Sequence, residues 1–125
     1  MGPKQRSHAV TDSIQRLQQA QRAFAAERDW DQFPSPKNLA AALSVESAEL
    51  LEIFQWLTEE QSAALSSKQQ DAARDELADV FLYLLRIADR LGIDLVAAAD
   101  HKLARNAEKY PADLARGSSA KYSEL

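Results

Sequence analysis

Apolar residues in this chain recur every third or fourth position over most of its length, and helix-breaking residues stand at very few points. Glycine occurs three times and proline four, so long uninterrupted helices are available. Alanine and leucine make up nearly a third of the sequence while Val, Ile and Thr are scarce, a balance that favours helix over strand. A β-sandwich or doubly wound sheet is thereby excluded. The expectation is an all-α, antiparallel four-helix bundle with a short extra helix, built as a single domain over residues 1–125.

Local signals divide the chain. Val10, Ile14, Leu17 and Phe24 predict a first helix from about Ser7 or Thr11 to Arg28. Pro34 and Pro36 break the pattern in a loop that also carries Trp30 and Phe33. Ser35 then reads as an N-cap with proline at the first helical position, opening a second helix to about Leu57. Thr58-Glu59-Glu60-Gln61 predicts a short turn through Leu65, and Ser66 or Ser67 starts a third long helix that Gly92 ends. That helix is apolar over more than half its circumference, so Phe81, like Phe54 on the second helix, is expected in the core. Its surplus apolar surface predicts an oligomer. Asp94 caps a last helix that Tyr110-Pro111 terminates, and the tail from Ala112 to Leu125 carries weak structural signals.

Several function classes drop out. The chain has no cysteine, hence no disulfide, thiolate nucleophile or zinc–sulfur site. Its longest apolar run, Val80–Leu85, is far short of the roughly 20 residues of a membrane span. No secretory h-region is visible at the N-terminus, and a cytoplasmic location is expected. A net charge of −4 disfavours duplex nucleic acid as a partner.

The informative residues are acids that violate the helical pattern. Glu46 projects from the apolar stripe of the second helix and Glu49 from its edge; Glu76 falls within the stripe of the third, with Asp79 at the flank. Each pair is spaced i, i+3 and therefore shares a face. A single misplaced acid is usually exposed or paired with Lys or Arg. Two such pairs on neighbouring helices instead suit a hard divalent cation, Mg²⁺ or Mn²⁺, which prefers carboxylate oxygens. His8 and His101 stand elsewhere, against a di-iron or zinc centre. Lys102, Asn106 and Lys109, spaced i, i+4, i+7, put two ammonium groups and an amide on one face, either a solvated helix end or a polyphosphate clamp. Trp30, Trp56 and Tyr83 are either packing residues or rings on which a nucleobase can stack.

Five blocks in order carry a resemblance: FAAERDWDQFPSPKNLAAAL, EIFQW, DELADVFLYLL, NAEKYP and SSAKYSEL, with Glu46-x-x-Glu49 and Glu76-x-x-Asp79 among them. In these the chain is similar to the all-α nucleoside triphosphate pyrophosphatases, the MazG-like superfamily. The resemblance implies Mg²⁺-dependent hydrolysis of a deoxynucleoside triphosphate to the monophosphate and pyrophosphate, in the clearing of unwanted nucleotides. It points to dCTP or a modified dCTP; dUTP or a broader range of triphosphates, or a non-catalytic helical interaction domain, are the alternatives. It further implies a homotetramer built as a dimer of dimers. The metal ligands carry over to Glu46, Glu49, Glu76 and Asp79, one of which, Glu49 among the candidates, serves as base. Base-pocket roles carry over to Trp30, Asn38, Trp56 and Tyr83, and phosphate contacts to Lys102, Asn106, Lys109, Lys121 and Tyr122. One departure is Gln21, where vertebrate members acting on dCTP carry histidine; with Asn38 it is a polar group able to read a base edge.

Overall fold

A computed structural model describes residues 3–30, 35–110 and 112. The chain is all-α, with five helices: α1 Pro3–Glu27, α2 Pro36–Phe54, α3 Glu59–Ser62, α4 Ser67–Leu91 and α5 Leu95–Lys109. No strand occurs among the described residues. Chain contacts divide it into two compact units, one ending at Gly92 and holding α1–α4, the other beginning at Ile93 and holding α5.

Helix boundaries follow cap chemistry. Ser35 is extended and its hydroxyl accepts from the Asn38 N–H, with Pro36 opening α2. Thr58 and Gln61 form a capping box, as do Ser66 and Gln69, each with reciprocal bonds of 3.0–3.2 Å. Gly92 ends α4 at φ 65°, in the left-handed region open to glycine. Asp94 caps α5 through its carboxylate and the Ala97 N–H.

Two boundaries differ from the expectation. The first helix begins at Pro3, where proline's missing N–H costs nothing, rather than at Ser7 or Thr11. The second ends at Phe54, three residues before Leu57. The Thr58 cap requires extended backbone, and the chain turns into it through a bond from the Leu57 N–H to the Phe54 carbonyl. Trp56 thus leaves the helix and stands 87 % exposed.

Within the first unit α2 packs along α4, and α1 packs against α4. The core is Ala25, Leu39, Ala73, Leu85 and Ala88, with Leu85 wholly enclosed. Alanine at three of these five positions lets the helices approach closely. Buried Gln18 donates to the Leu85 carbonyl at 3.0 Å, which satisfies the amide inside the helix interface. Phe54 is half-buried, and Phe81 is exposed rather than core. Leu77, Phe81, Leu84 and Leu91 recur at helical spacing on α4, and all four are exposed. Periodicity marks a face as apolar without saying what covers it.

Candidate metal centre and adjoining cavity

The packing of α2 on α4 converts two sequence pairs into one cluster. Carboxylate oxygens of Glu46, Glu49 and Glu76 lie within 4.8 Å of one another, on three half-buried side chains. Asp79 is exposed and stands outside that trio, but its charge acts on both Glu46 and Glu76. One oxygen of Glu46 and one of Glu76 are buried without a hydrogen-bond partner. Ion pairs such as Arg22–Asp89, Arg28–Glu27 and Arg74–Asp71 lie elsewhere, and among the described residues no Lys or Arg acts on Glu46 or Glu76. The alternative in which a basic side chain pairs these acids therefore finds no support in the packing.

Like charges out of water favour protonation. Burial first, then hydrogen bonds with Glu49 and Glu76, then the charges of Glu49 and Asp79 push the Glu46 carboxyl up to about 7. Burial also raises Glu76, while its hydrogen bond with Glu46 works in the opposite direction. The signs of these effects fit a proton donated by Glu46, when protonated, to Glu76. Three convergent hard oxygen donors and two orphaned buried oxygens, with no histidine in the cluster among the described residues, suit a hard divalent cation.

Two cavities adjoin this centre. One of about 410 Å³ is lined by Glu49, Glu76 and Ile53, together with Glu52 and Asp75, acids the sequence reading did not single out. The other, about 420 Å³, lies between α1 and α4 and includes Gln21, Phe24, Trp30, Asp79, Tyr83 and Arg86 in its walls. Asp79 therefore belongs both to the acid quartet and to the second cavity.

The aromatic wall of that cavity is built by the end of α1. Asp29 adopts φ 54°, and the Asp29 and Trp30 N–H groups return to the carbonyls of Ala26 and Ala25 at 3.2 and 2.9 Å. This is a Schellman closure with aspartate in the position glycine usually takes. Its usual hydrophobic contact is the Phe24–Trp30 pair, edge to face at 5.8 Å. The Arg28 guanidinium caps the Phe24 ring at 3.6 Å. Trp30 remains 52 % exposed, a large aromatic surface held in place by backbone geometry.

The other sequence-predicted residues are placed as follows. Tyr83 joins Trp30 in the 420 Å³ cavity, whereas Asn38 and Trp56 are absent from the walls of both cavities. Asn38 is exposed in the first turn of α2. Lys102, Asn106 and Lys109 lie on α5 in the second unit, Asn106 half-buried and both lysines exposed. Phe33, Lys121 and Tyr122 lie outside the described residues. Arg86 is a wall residue that the sequence reading missed. Its signal was a cation embedded in the apolar stretch from Val80 to Ala88.

Comparison with known proteins agrees with this architecture. The chain is 41 % identical over 125 residues to human dCTP pyrophosphatase 1, covering 98 % of this chain and 74 % of that protein. It is 46 % identical over 104 residues to the mouse dCTP pyrophosphatase 1, covering 82 % of this chain and 61 % of that protein. Its fold matches the crystal structure of a pyrophosphatase from Archaeoglobus fulgidus with a TM-score of 0.75 and 36 % identity, over 79 % of this chain and 93 % of that one. The model of the MazG-like family matches residues 41–125. With relatives this similar over nearly its whole length, the chain belongs to the MazG-like family.

Proposed function

We propose that this chain is a Mg²⁺-dependent nucleoside triphosphate pyrophosphohydrolase that converts dCTP, or a modified dCTP, to dCMP and pyrophosphate. The observation that carries the reading is the convergence of Glu46, Glu49 and Glu76, with two buried oxygens left unpartnered, on helices of a MazG-like chain. The names of the relatives, dCTP pyrophosphatase and pyrophosphatase, supply the substrate and the bond.

Glu46, Glu49, Glu76 and Asp79 hold the cation, and Mn²⁺ is a workable substitute. A bound Mg²⁺ would supply positive charge to offset that of the phosphate oxygens. A carboxylate of the quartet, with Glu49 at the edge of the apolar stripe of α2 as candidate, accepts a proton from the attacking water. The water oxygen bonds to the α-phosphorus, and pyrophosphate departs with the bridging oxygen and its electron pair. Trp30 and Tyr83 receive the base, and Asn38 and Trp56 are assigned to the same end of the substrate by resemblance. Lys102, Asn106, Lys109, Lys121 and Tyr122 are assigned to the phosphates on the same ground. The exposed apolar row on α4, Leu77 to Leu91, supports assembly, with a dimer of dimers as the proposed form. The cytoplasm is the proposed location.

A pyrophosphate-release assay over a panel of deoxynucleoside triphosphates, with and without Mg²⁺, tests the reading. The expected result is Mg²⁺-dependent release that is fastest with dCTP. Glu76→Gln should lower the rate at least about a hundredfold, since loss of cation-based stabilisation is worth several kcal/mol. Near-normal turnover of Glu76→Gln at low Mg²⁺ would refute the assignment.

A further inference from the structure

We infer that Arg22, Arg86 and Arg90 form a second binding site, separate from the acid cluster, for an oxyanion of the phosphate class. The three arginines line a cavity of about 360 Å³, with Asp89, Ala25 and Ala26 also in its walls. None of the acid quartet lines it, and neither do Trp30 and Tyr83. Arg22, Asp89 and Arg90 in turn are absent from the 420 Å³ cavity, so substitutions at these positions address the new site by itself.

Helical spacing builds the cavity. On α4, Arg86, Asp89 and Arg90 stand at i, i+3 and i+4, and on α1 Arg22, Ala25 and Ala26 repeat that spacing. The two faces meet where α1 packs on α4, and the alanines leave open a volume that longer side chains would fill. Three guanidiniums thus share one cavity with a single carboxylate. That is a local surplus of two positive charges in a chain whose net charge is −4.

The lone carboxylate does not occupy the available donors. Asp89 meets Arg22 through Nε, at 2.9 Å, and a guanidinium has five N–H donors. Arg86 is half-buried and, among the described residues, makes no hydrogen bond or ion pair. A guanidinium partly withdrawn from water beside two others is both repelled and under-bonded, and a multiply charged oxyanion relieves both conditions. Planar N–H forks match the oxygens of a phosphoryl group in a way that a point charge does not. Arg22 and Arg90 are exposed, which leaves the cavity open for an ion to enter.

The test is calorimetric titration of inorganic phosphate and, separately, of pyrophosphate into the full chain, dialysed free of divalent cations and held at constant ionic strength. The expected result is one ion bound per chain, and the tighter of the two probes tells whether the site takes one phosphoryl group or two. Arg22→Gln and Arg90→Gln should each weaken that binding at least about tenfold, the worth of a lost charge-assisted hydrogen bond. Asp89→Asn removes the competing carboxylate and should tighten it about threefold. Arg74→Gln removes an exposed charge elsewhere on α4 and should leave the affinity within about twofold of wild type. Circular dichroism on each variant separates loss of the site from loss of the fold. Absence of saturable binding of either ion to the wild type overturns the inference. So does undiminished binding in a folded Arg90→Gln, or an equal weakening by Arg74→Gln. If neither arginine variant folds, Asp89→Asn decides, and unchanged or weaker binding there overturns the inference. Turnover enters none of these measurements, so their failure leaves the proposed hydrolysis standing.

Discussion

Cation binding at the acid cluster must displace a proton, and the geometry sets how strongly affinity follows pH. Burial and the neighbouring Glu49, Glu76 and Asp79 hold the Glu46 carboxyl at about 7 rather than its ordinary 4.5. At pH 6 about one molecule in ten then has Glu46 ionised, and at pH 8 about nine in ten. Since only the ionised carboxylate binds a hard cation, apparent Mg²⁺ affinity should rise about tenfold between pH 6 and 8 and level off above. The raised Glu76 carboxyl steepens the rise at the acid end. Calorimetric titration with Mg²⁺ in buffers of different ionisation enthalpy measures both the affinity and the protons released. Glu46→Gln removes the titrating group and should flatten the dependence while weakening binding. An affinity constant from pH 6 to 8, with no proton release near neutrality, would refute the reasoning. The same shift has a consequence for the metal-free fold. The folded-state value lies above the unfolded one, so the stability this carboxyl contributes is fully present below about pH 4.5 and is lost as pH rises through 7. The midpoint of thermal unfolding should therefore gain more from added Mg²⁺ at pH 8 than at pH 6.

Other outcomes follow from the packing. Leu85→Ala empties a wholly enclosed site and should cost about 2–5 kcal/mol in urea unfolding, with a loss under 1 kcal/mol contradicting its place in the core. Gly92→Ala meets no neighbouring atom but must adopt φ 65°, so unfolding should show a loss of about 1–2 kcal/mol from backbone strain alone, smaller for Gly92→Asn. Light scattering should return a mass well above 13.9 kDa, and Phe81→Glu on the exposed row of α4 should reduce it; a monomeric wild type at micromolar concentration would contradict assembly through that row.

What could be read in the sequence was local or periodic. Ser35, Thr58, Ser66, Gly92 and Asp94 each mark a helix end through chemistry confined to three or four residues, and each does so in the structure. Glu46, Glu49 and Glu76 were legible because an acid in an apolar stripe must find a partner, and the i, i+3 spacing gave each pair one face. Asp79, at the flank of its stripe, sits correspondingly at the edge of the cluster. Trp56 was misplaced because helical periodicity runs on through Leu57, whereas the Thr58 cap demands extended backbone just after it. The anchoring of Trp30 escaped notice because a Schellman closure is usually announced by glycine, and here Asp29 takes the left-handed conformation. Phe81 looked like core because periodicity cannot distinguish a face that packs within the chain from one that is left for another surface. Arg86 and the guanidiniums beside it acquire meaning only once α1 lies against α4, a packing in which Gln21 and Leu82, 61 residues apart in sequence, are hydrogen-bonded.

The most direct test of the account is to run the reaction in ¹⁸O-labelled water with dCTP and Mg²⁺ and to follow the products by ³¹P NMR. Attack at the α-phosphorus, with the acid cluster holding the cation, predicts dCMP and pyrophosphate in equal amounts and the label wholly in dCMP. Label in the pyrophosphate, or dCDP and inorganic phosphate as products, would contradict it.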